Sequence, residues 1–471
     1  HVVLCGMGGS SLAPEVYREV FGSASGYPEF IVIDSTHPAA VDAVEKKIDI
    51  AKSFFIISSK SGTTIETMFL FYYFWDKIGS QTQTPGLHFM AITDPGTPLE
   101  KLALERGFRR VFYAPKDVGG RYSALSDFGL LPACIMGMDV SRFLEQAKYA
   151  WESCAEEDEF EEKVSCLFLG AFLGELYPEF DKLTILTSVS LKQFSDWLEQ
   201  LVAESLGKNN RGIVPVVNEP RIPPENYGKD RYFVAFFLEA DENSELETYM
   251  KRIEQLGFPS IRIYLKDKYE LGQEIFRWEV AVAMAGSVIG INPFDQPDVQ
   301  GTKDLTGKAL EMEEDILKRE GELKTFRVND AALPEKFSNW LSFGQLGDYV
   351  CIQAFLSPFS EIREAVQRLR LALLKKTQLA STFGFGPRFL HSTGQLHKGG
   401  PNTGLFLQLI DEPEFDLQIP ETEYSFGSLI QAQALGDFQF LKKRDRRVLR
   451  INLGTNVLNS LHQLNKLLGD P

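Results

Sequence analysis

Up to Tyr113 the chain alternates short apolar runs with stretches whose apolar residues recur every three or four positions. Residues 2–5, 30–34, 54–58, 88–93 and 110–113 read as strands, with helices at 39–47 and 64–75 between them. Strand and helix in strict alternation imply a parallel sheet wound in both directions, with ligands beyond the carboxyl ends of its strands. The rhythm resumes after an acidic stretch at 156–162. Strands are expected at 183–187, 213–217, 232–238 and 260–264, and helices at 191–206, 244–256 and 269–288. A charged connector follows at 303–322. Beyond it the pattern predicts strands at 349–354, 403–409 and 448–453 and helices at 360–376 and 425–441. The expected organisation is two doubly wound parallel-sheet domains, 1–150 and 151–325, and a C-terminal α/β extension, 326–471.

Composition narrows the function. Of 471 residues, 44% are hydrophobic and 24% charged, ordinary for a globular chain of several domains. The net charge of −16 repels nucleic acid, and no Lys/Arg run is dense enough to offset it. An anionic substrate would therefore need local donors. No apolar run spans a bilayer, and no signal peptide is visible, so a cytoplasmic protein that does not enter membranes is expected. The five cysteines, Cys5, Cys134, Cys154, Cys166 and Cys351, lack CxxC spacing and read as reduced, buried thiols. The chain opens directly on a strand without Met, which suggests a fragment of a longer polypeptide.

Two loops have phosphate chemistry. Gly6-Met7-Gly8-Gly9-Ser10-Ser11 follows a strand and precedes a helix, where glycines let backbone amides approach an anion. A dinucleotide fold would also place glycines here, with Asp34 as the ribose acid, but Ser11 occupies the third glycine position. Ser58-Ser59-Lys60-Ser61-Gly62-Thr63-Thr64 is more specific, because six of its seven residues carry a hydroxyl or ammonium donor. One capping hydroxyl would suffice for a helix start, so this density favours an anion.

With these loops, two longer segments resemble the phosphoglucose isomerases of the sugar isomerase fold. Residues 117–126, opening Asp117-Val118-Gly119-Gly120-Arg121, are similar to that family's first signature. Residues 292–303, Asn292-Pro293-Phe294-Asp295-Gln296 through Lys303, are similar to its second. Glu204-Ser205-Leu206-Gly207-Lys208 resembles the segment of the proton-transferring glutamate. Asp298 and Gln300 depart from the pattern, standing where a small residue and an acid are usual. No histidine lies between Glu204 and Lys303, where the family places one. Residues 389–400 resemble its histidine loop instead, with His391 at the matching position and His397 as the alternative. This order is similar to the isomerase half of fused transaldolase–phosphoglucose isomerase proteins, which implies a transaldolase domain ahead of residue 1.

The resemblance implies a cofactor-free aldose–ketose isomerase acting on a hexose 6-phosphate through a cis-enediol. Glu204 would move the proton, Arg121 would stabilise the enediolate, and His391 with Lys303 would open the ring. Gly9, Ser10, Ser59, Lys60, Ser61, Thr63, Thr64, Gly120 and Gln296 would hold the phosphate and sugar. No metal site is expected. In relatives the histidine reaches a neighbouring subunit, which implies a homodimer unless the third unit folds back into that place. The alternatives are a phosphomannose or dual-specificity isomerase, a non-catalytic phosphosugar sensor, and a dinucleotide-dependent dehydrogenase.

Overall fold

A computed structural model describes residues 1–155, 165–298 and 325–469. Among the described residues the chain builds three parallel sheets. The first contains β1 (Val2–Gly6), β2 (Phe30–Ile33), β3 (Phe54–Ser58), β4 (Phe89–Thr93) and β5 (Arg110–Tyr113), in the order β2-β1-β3-β4-β5. The second contains β6 (Lys182–Thr187), β7 (Val214–Val217), β8 (Arg231–Leu238) and β9 (Ser260–Leu265), ordered β7-β6-β8-β9. The third contains β10 (Phe326–Arg327), β11 (Tyr349–Phe355), β12 (Ala380–Phe385), β13 (Gly404–Ile410) and β14 (Arg447–Asn452), ordered β12-β11-β13-β14-β10. Each sheet thus reverses its winding beside its first long strand, between β1 and β3, β6 and β8, and β11 and β13. These are the points where crevices open in doubly wound sheets.

The central apolar runs form strands because they are covered on both faces. Arg231–Leu238 is buried along its whole length, as a central parallel strand requires. The edge strand Arg110–Tyr113 has no buried residue. The sequence pattern misses β12, Ala-Ser-Thr-Phe-Gly-Phe, because its polar residues hide a strand. Ser381 and Thr382 are nonetheless buried, and a buried guanidinium supplies polar contacts: Arg370 donates to the Ser381 hydroxyl at 3.0 Å.

The third sheet, in the expected C-terminal extension, packs against both of the others. Ile419, Phe426, Leu429, Ala432 and Leu435 share a core with one face of the first sheet. Tyr349, Cys351, Ala380, Leu396 and Phe406 share another with Ala203, Val214 and Val216 of the second. The first and second sheets are joined by a core running from Leu4 and Ile56 to Tyr232 and Trp278. One expectation about the cysteines needs correction. Cys154, at the end of helix Val140–Ala155, is joined by a disulfide to Cys166, which opens helix Cys166–Glu175, with the Cα atoms 5.9 Å apart. Helix packing brings the two together where sequence spacing gave no sign. Cys5 and Cys351 are buried thiols, whereas Cys134 is exposed. The acidic stretch at 156–162 and the connector at 303–322 lie outside the described residues, as does Lys303.

Candidate active site

The two glycine- and hydroxyl-rich loops leave the carboxyl ends of β1 and β3, at the winding switch of the first sheet. In the second loop Ser59 and Thr64 hydroxyls lie 3.0 Å apart, and so do those of Ser61 and Thr63. They gather at the amino end of helix Ile65–Gly79, whose partial positive charge suits an anion. Lys60 turns away. Its ammonium lies 2.6 Å from Asp94 and donates to the Pro115 and Lys116 carbonyls, so its charge is already neutralised.

Glycine is required where the first loop meets its neighbours. A Cβ on Gly9 would sit 2.0 Å from the Gly120 carbonyl oxygen, and one on Gly8 would sit 2.6 Å from that of His391. The loop therefore touches the first signature and the histidine segment at once. Ser10 accepts a hydrogen bond at its carbonyl from Ser58 Oγ, 3.2 Å away.

Arg121 is buried, 2% exposed, and its hydrogen bonds join the Glu204 segment to the second signature. Nη1 donates to Glu204 Oε1 at 3.1 Å, Nε to Ser205 Oγ at 2.7 Å, and Nη2 to the Asp295 carbonyl at 3.0 Å and to that of Pro293. It binds neither Asp117 nor Asp127. Glu204 lies in the last turn of helix Phe194–Leu206 and is buried. Burial holds its pKa above the ordinary glutamate range, against the opposing pull of Arg121, the Gln200 hydrogen bond and His391. Lys208 ties the helix end to the second signature through the Asn292 carbonyl at 2.9 Å and the Asp295 carboxylate at 2.8 Å.

His391 comes from the third sheet, on the turn Arg388–His391 after β12. Its Nε2 lies 2.8 Å from Glu66 Oε1, on the helix that follows the hydroxyl-rich loop. Gln200 Nε2 donates both to the His391 carbonyl at 2.9 Å and to Glu204 Oε2 at 3.1 Å. One amide thus couples the acid to the histidine turn. His397 sits elsewhere, buried between Cys351 Sγ at 3.4 Å and Gln353 Nε2 at 3.2 Å. Burial first, then Lys398 and Arg446, lower its pKa well below the ordinary value.

The structure therefore brings Glu204, Arg121, His391, Gly9 and Gly120 into one chain of contacts, with Ser59 and Thr64 at the head of the Glu66 helix. Gln296 is exposed on the loop after Pro293. Glu66, Gln200 and Gln433, which donates to Glu66 at 2.8 Å, were not legible as site residues. Gln200 stands one helical turn before Glu204 on the same face, which is the one signal that could have found it. Asp298 pairs with Gln395 at 2.8 Å and with Arg444. Its departure from the second signature is a contact made to the third sheet.

Comparison with known proteins bears on these motifs directly. Residues 1–217 match the phosphoglucose isomerase family model. Those residues contain both loops, the Arg121 signature and Glu204. A glucose-6-phosphate isomerase from Methanocaldococcus jannaschii is 28% identical over 345 residues, 66% of this chain and 84% of that protein. One from Campylobacter jejuni is 27% identical over 344 residues, 64% of this chain and 82% of that protein. A hypothetical protein from Thermus thermophilus has a similar crystal structure, with a TM-score of 0.58 and 28% identity over 65% of this chain and 83% of that one. A glucose-6-phosphate isomerase from Chlamydia trachomatis shares the fold at a TM-score of 0.57, 20% identity, and coverage of 69% of this chain and 72% of that one.

Proposed function

We propose that this chain interconverts glucose 6-phosphate and fructose 6-phosphate, with Glu204 carrying a proton between C1 and C2 of the open-chain sugar. The observation that carries the reading is the Glu204–Arg121 pair, 3.1 Å apart and buried, with His391 linked to the same acid through Gln200. Proton abstraction beside a carbonyl needs a base whose pKa is raised toward neutrality, and burial supplies that at Glu204. The negative charge that develops on the enediolate needs a fixed cation, and Arg121 stays charged in a dry site. His391, held by the Glu66 carboxylate, is suited to shuttle a proton during ring opening. The hydroxyls of Ser59, Ser61, Thr63 and Thr64 would receive the phosphate at the amino end of their helix, Gln296 would hydrogen-bond the phosphate or sugar hydroxyls, and Lys303 would partner His391 in ring opening.

The relatives named above support the substrate class. The sensor reading has no need of a buried acid and arginine pair. The reading extends to a fused transaldolase domain, supported by the position of the histidine segment after the second signature. The test is direct. Full chain given fructose 6-phosphate without cofactor should form glucose 6-phosphate in a coupled assay. Mannose 6-phosphate as the sole product would favour the phosphomannose reading, and binding without turnover would favour the sensor.

A further inference from the structure

Arg388, three residues before His391, lies where the three sheets meet. Its Nη1 lies 3.1 Å from Asp34 Oδ2 and also contacts Glu15, and its Nη2 lies 3.5 Å from Asp196 Oδ2. All four side chains are at most one-fifth exposed. Two of the acids lie on helices that adjoin the proposed site, and the third follows the edge strand β2. Glu15 lies on helix Leu12–Phe21, which follows the Gly8-Gly9-Ser10 loop. Asp34 directly follows β2 and also accepts from Ser11 Oγ at 3.4 Å. Asp196 lies in the first turn of the helix that ends at Glu204. A small cavity lined by Leu12, Glu199, Gln367 and Ser392 borders the cluster.

We propose that Arg388 is the positioning residue that seats the third sheet's histidine turn in the site, through one guanidinium shared by Glu15, Asp34 and Asp196. The inference rests on the isomerase reading above. Three carboxylates converging on one point repel one another, and Arg388, which contacts all three, offsets that repulsion together with the more distant charge of Arg363 on the wall of the same cavity. A planar guanidinium can face several carboxylates at once, which a lysine ammonium cannot do in the same geometry. The acids come from the first and second sheets and the cation from the third. The pairing therefore fixes the register between them at the root of the turn that carries His391. It also accounts for Asp34, whose place after β2 suggests a ribose contact and which is instead committed to Arg388.

Arg388→Leu should act through His391. On ring-closed fructose 6-phosphate its turnover should fall roughly 100-fold. Exchange of the C1/C2 proton in a five-carbon 2-ketose 5-phosphate, which has no free hydroxyl placed to close a five- or six-membered ring, should fall less than about 5-fold. Added to His391→Ala, it should cost little more, since two changes in one pathway are not additive. Arg388→Lys keeps the charge, so it tests the role even if the leucine variant does not fold; it should lose roughly tenfold on the ring-closed substrate only. Equal losses on both substrates, full additivity with His391→Ala, or a lysine variant with unchanged kinetics would overturn the proposal. A wild-type chain with no cofactor-free isomerisation would instead remove the isomerase reading beneath it.

Discussion

Glu204 combines two opposing influences, burial that favours its neutral form and an arginine that favours its carboxylate. In the proposed role of base it must be ionised, so activity should fall as pH drops through a pKa higher than that of an ordinary glutamate. Arg121→Met removes the opposing pull, and the acid limb of the kcat profile should move to higher pH; a limb that stays put would separate Arg121 from this acid. Glu204→Gln should leave substrate affinity near normal and lower turnover by roughly 10²–10⁴-fold, measured in the coupled assay. The two histidines should also part company. His391→Ala should impair ring opening more than proton exchange. His397→Ala, which opens a polar gap against Cys351 and Gln353, should lower the melting temperature and leave the ratio of the two activities unchanged.

At the scale of elements, the hydroxyl-rich loop and its helix are expected to act as one phosphate grip. Ser59→Ala with Thr64→Ala should raise KM far more than it lowers kcat, because phosphate contacts persist from ground to transition state. The helix Phe194–Leu206 serves both the site and the inter-sheet junction. On it Glu199, beside the cavity, has a pKa pushed up to about 8, chiefly by burial and then by Asp196. An acid with a raised folded pKa is neutral in both states at low pH. It opposes folding increasingly as pH climbs from its ordinary 4.5 to about 8. Glu199→Gln should therefore leave thermal stability unchanged at pH 4 and raise it at pH 8, by on the order of a few kcal/mol. A gain that is the same at both pH values would show that ionisation of Glu199 is not the cause.

At the scale of the whole molecule, the candidate acid, arginine and histidine can be brought together by one chain. His391 meets Glu66 and, through Gln200, Glu204, all from the same polypeptide. Co-expressed Glu204→Gln and His391→Ala chains should therefore not complement one another, since neither chain contains both groups. Recovery of isomerase activity in mixed oligomers would place the histidine in a neighbour's site instead. The third sheet can do this because its helix Phe426–Lys443 packs apolar residues on the first sheet while Leu396 packs against the second. Asp298 adds a polar lock through Gln395 and Arg444.

The central strands of the first two sheets were legible because parallel strands buried on both faces must be apolar runs, and the loops because their donors are dense, as a proposed phosphate grip would need. Arg121 and Glu204 were legible only through the segments that flank them. Strand β12 was hidden, since its burial depends on Arg370 reaching it from another element. Glu66, Gln200 and Arg388 were hidden for a related reason. A lone glutamate, glutamine or arginine has no local signature, and each acquires its role from partners up to several hundred positions away. The alternation of apolar and polar residues determined the sheets and loops by itself. Only the packing of three sheets against one another decided which histidine lies beside Glu66 and Gln200, because that depends on contacts between surfaces that no single segment encodes.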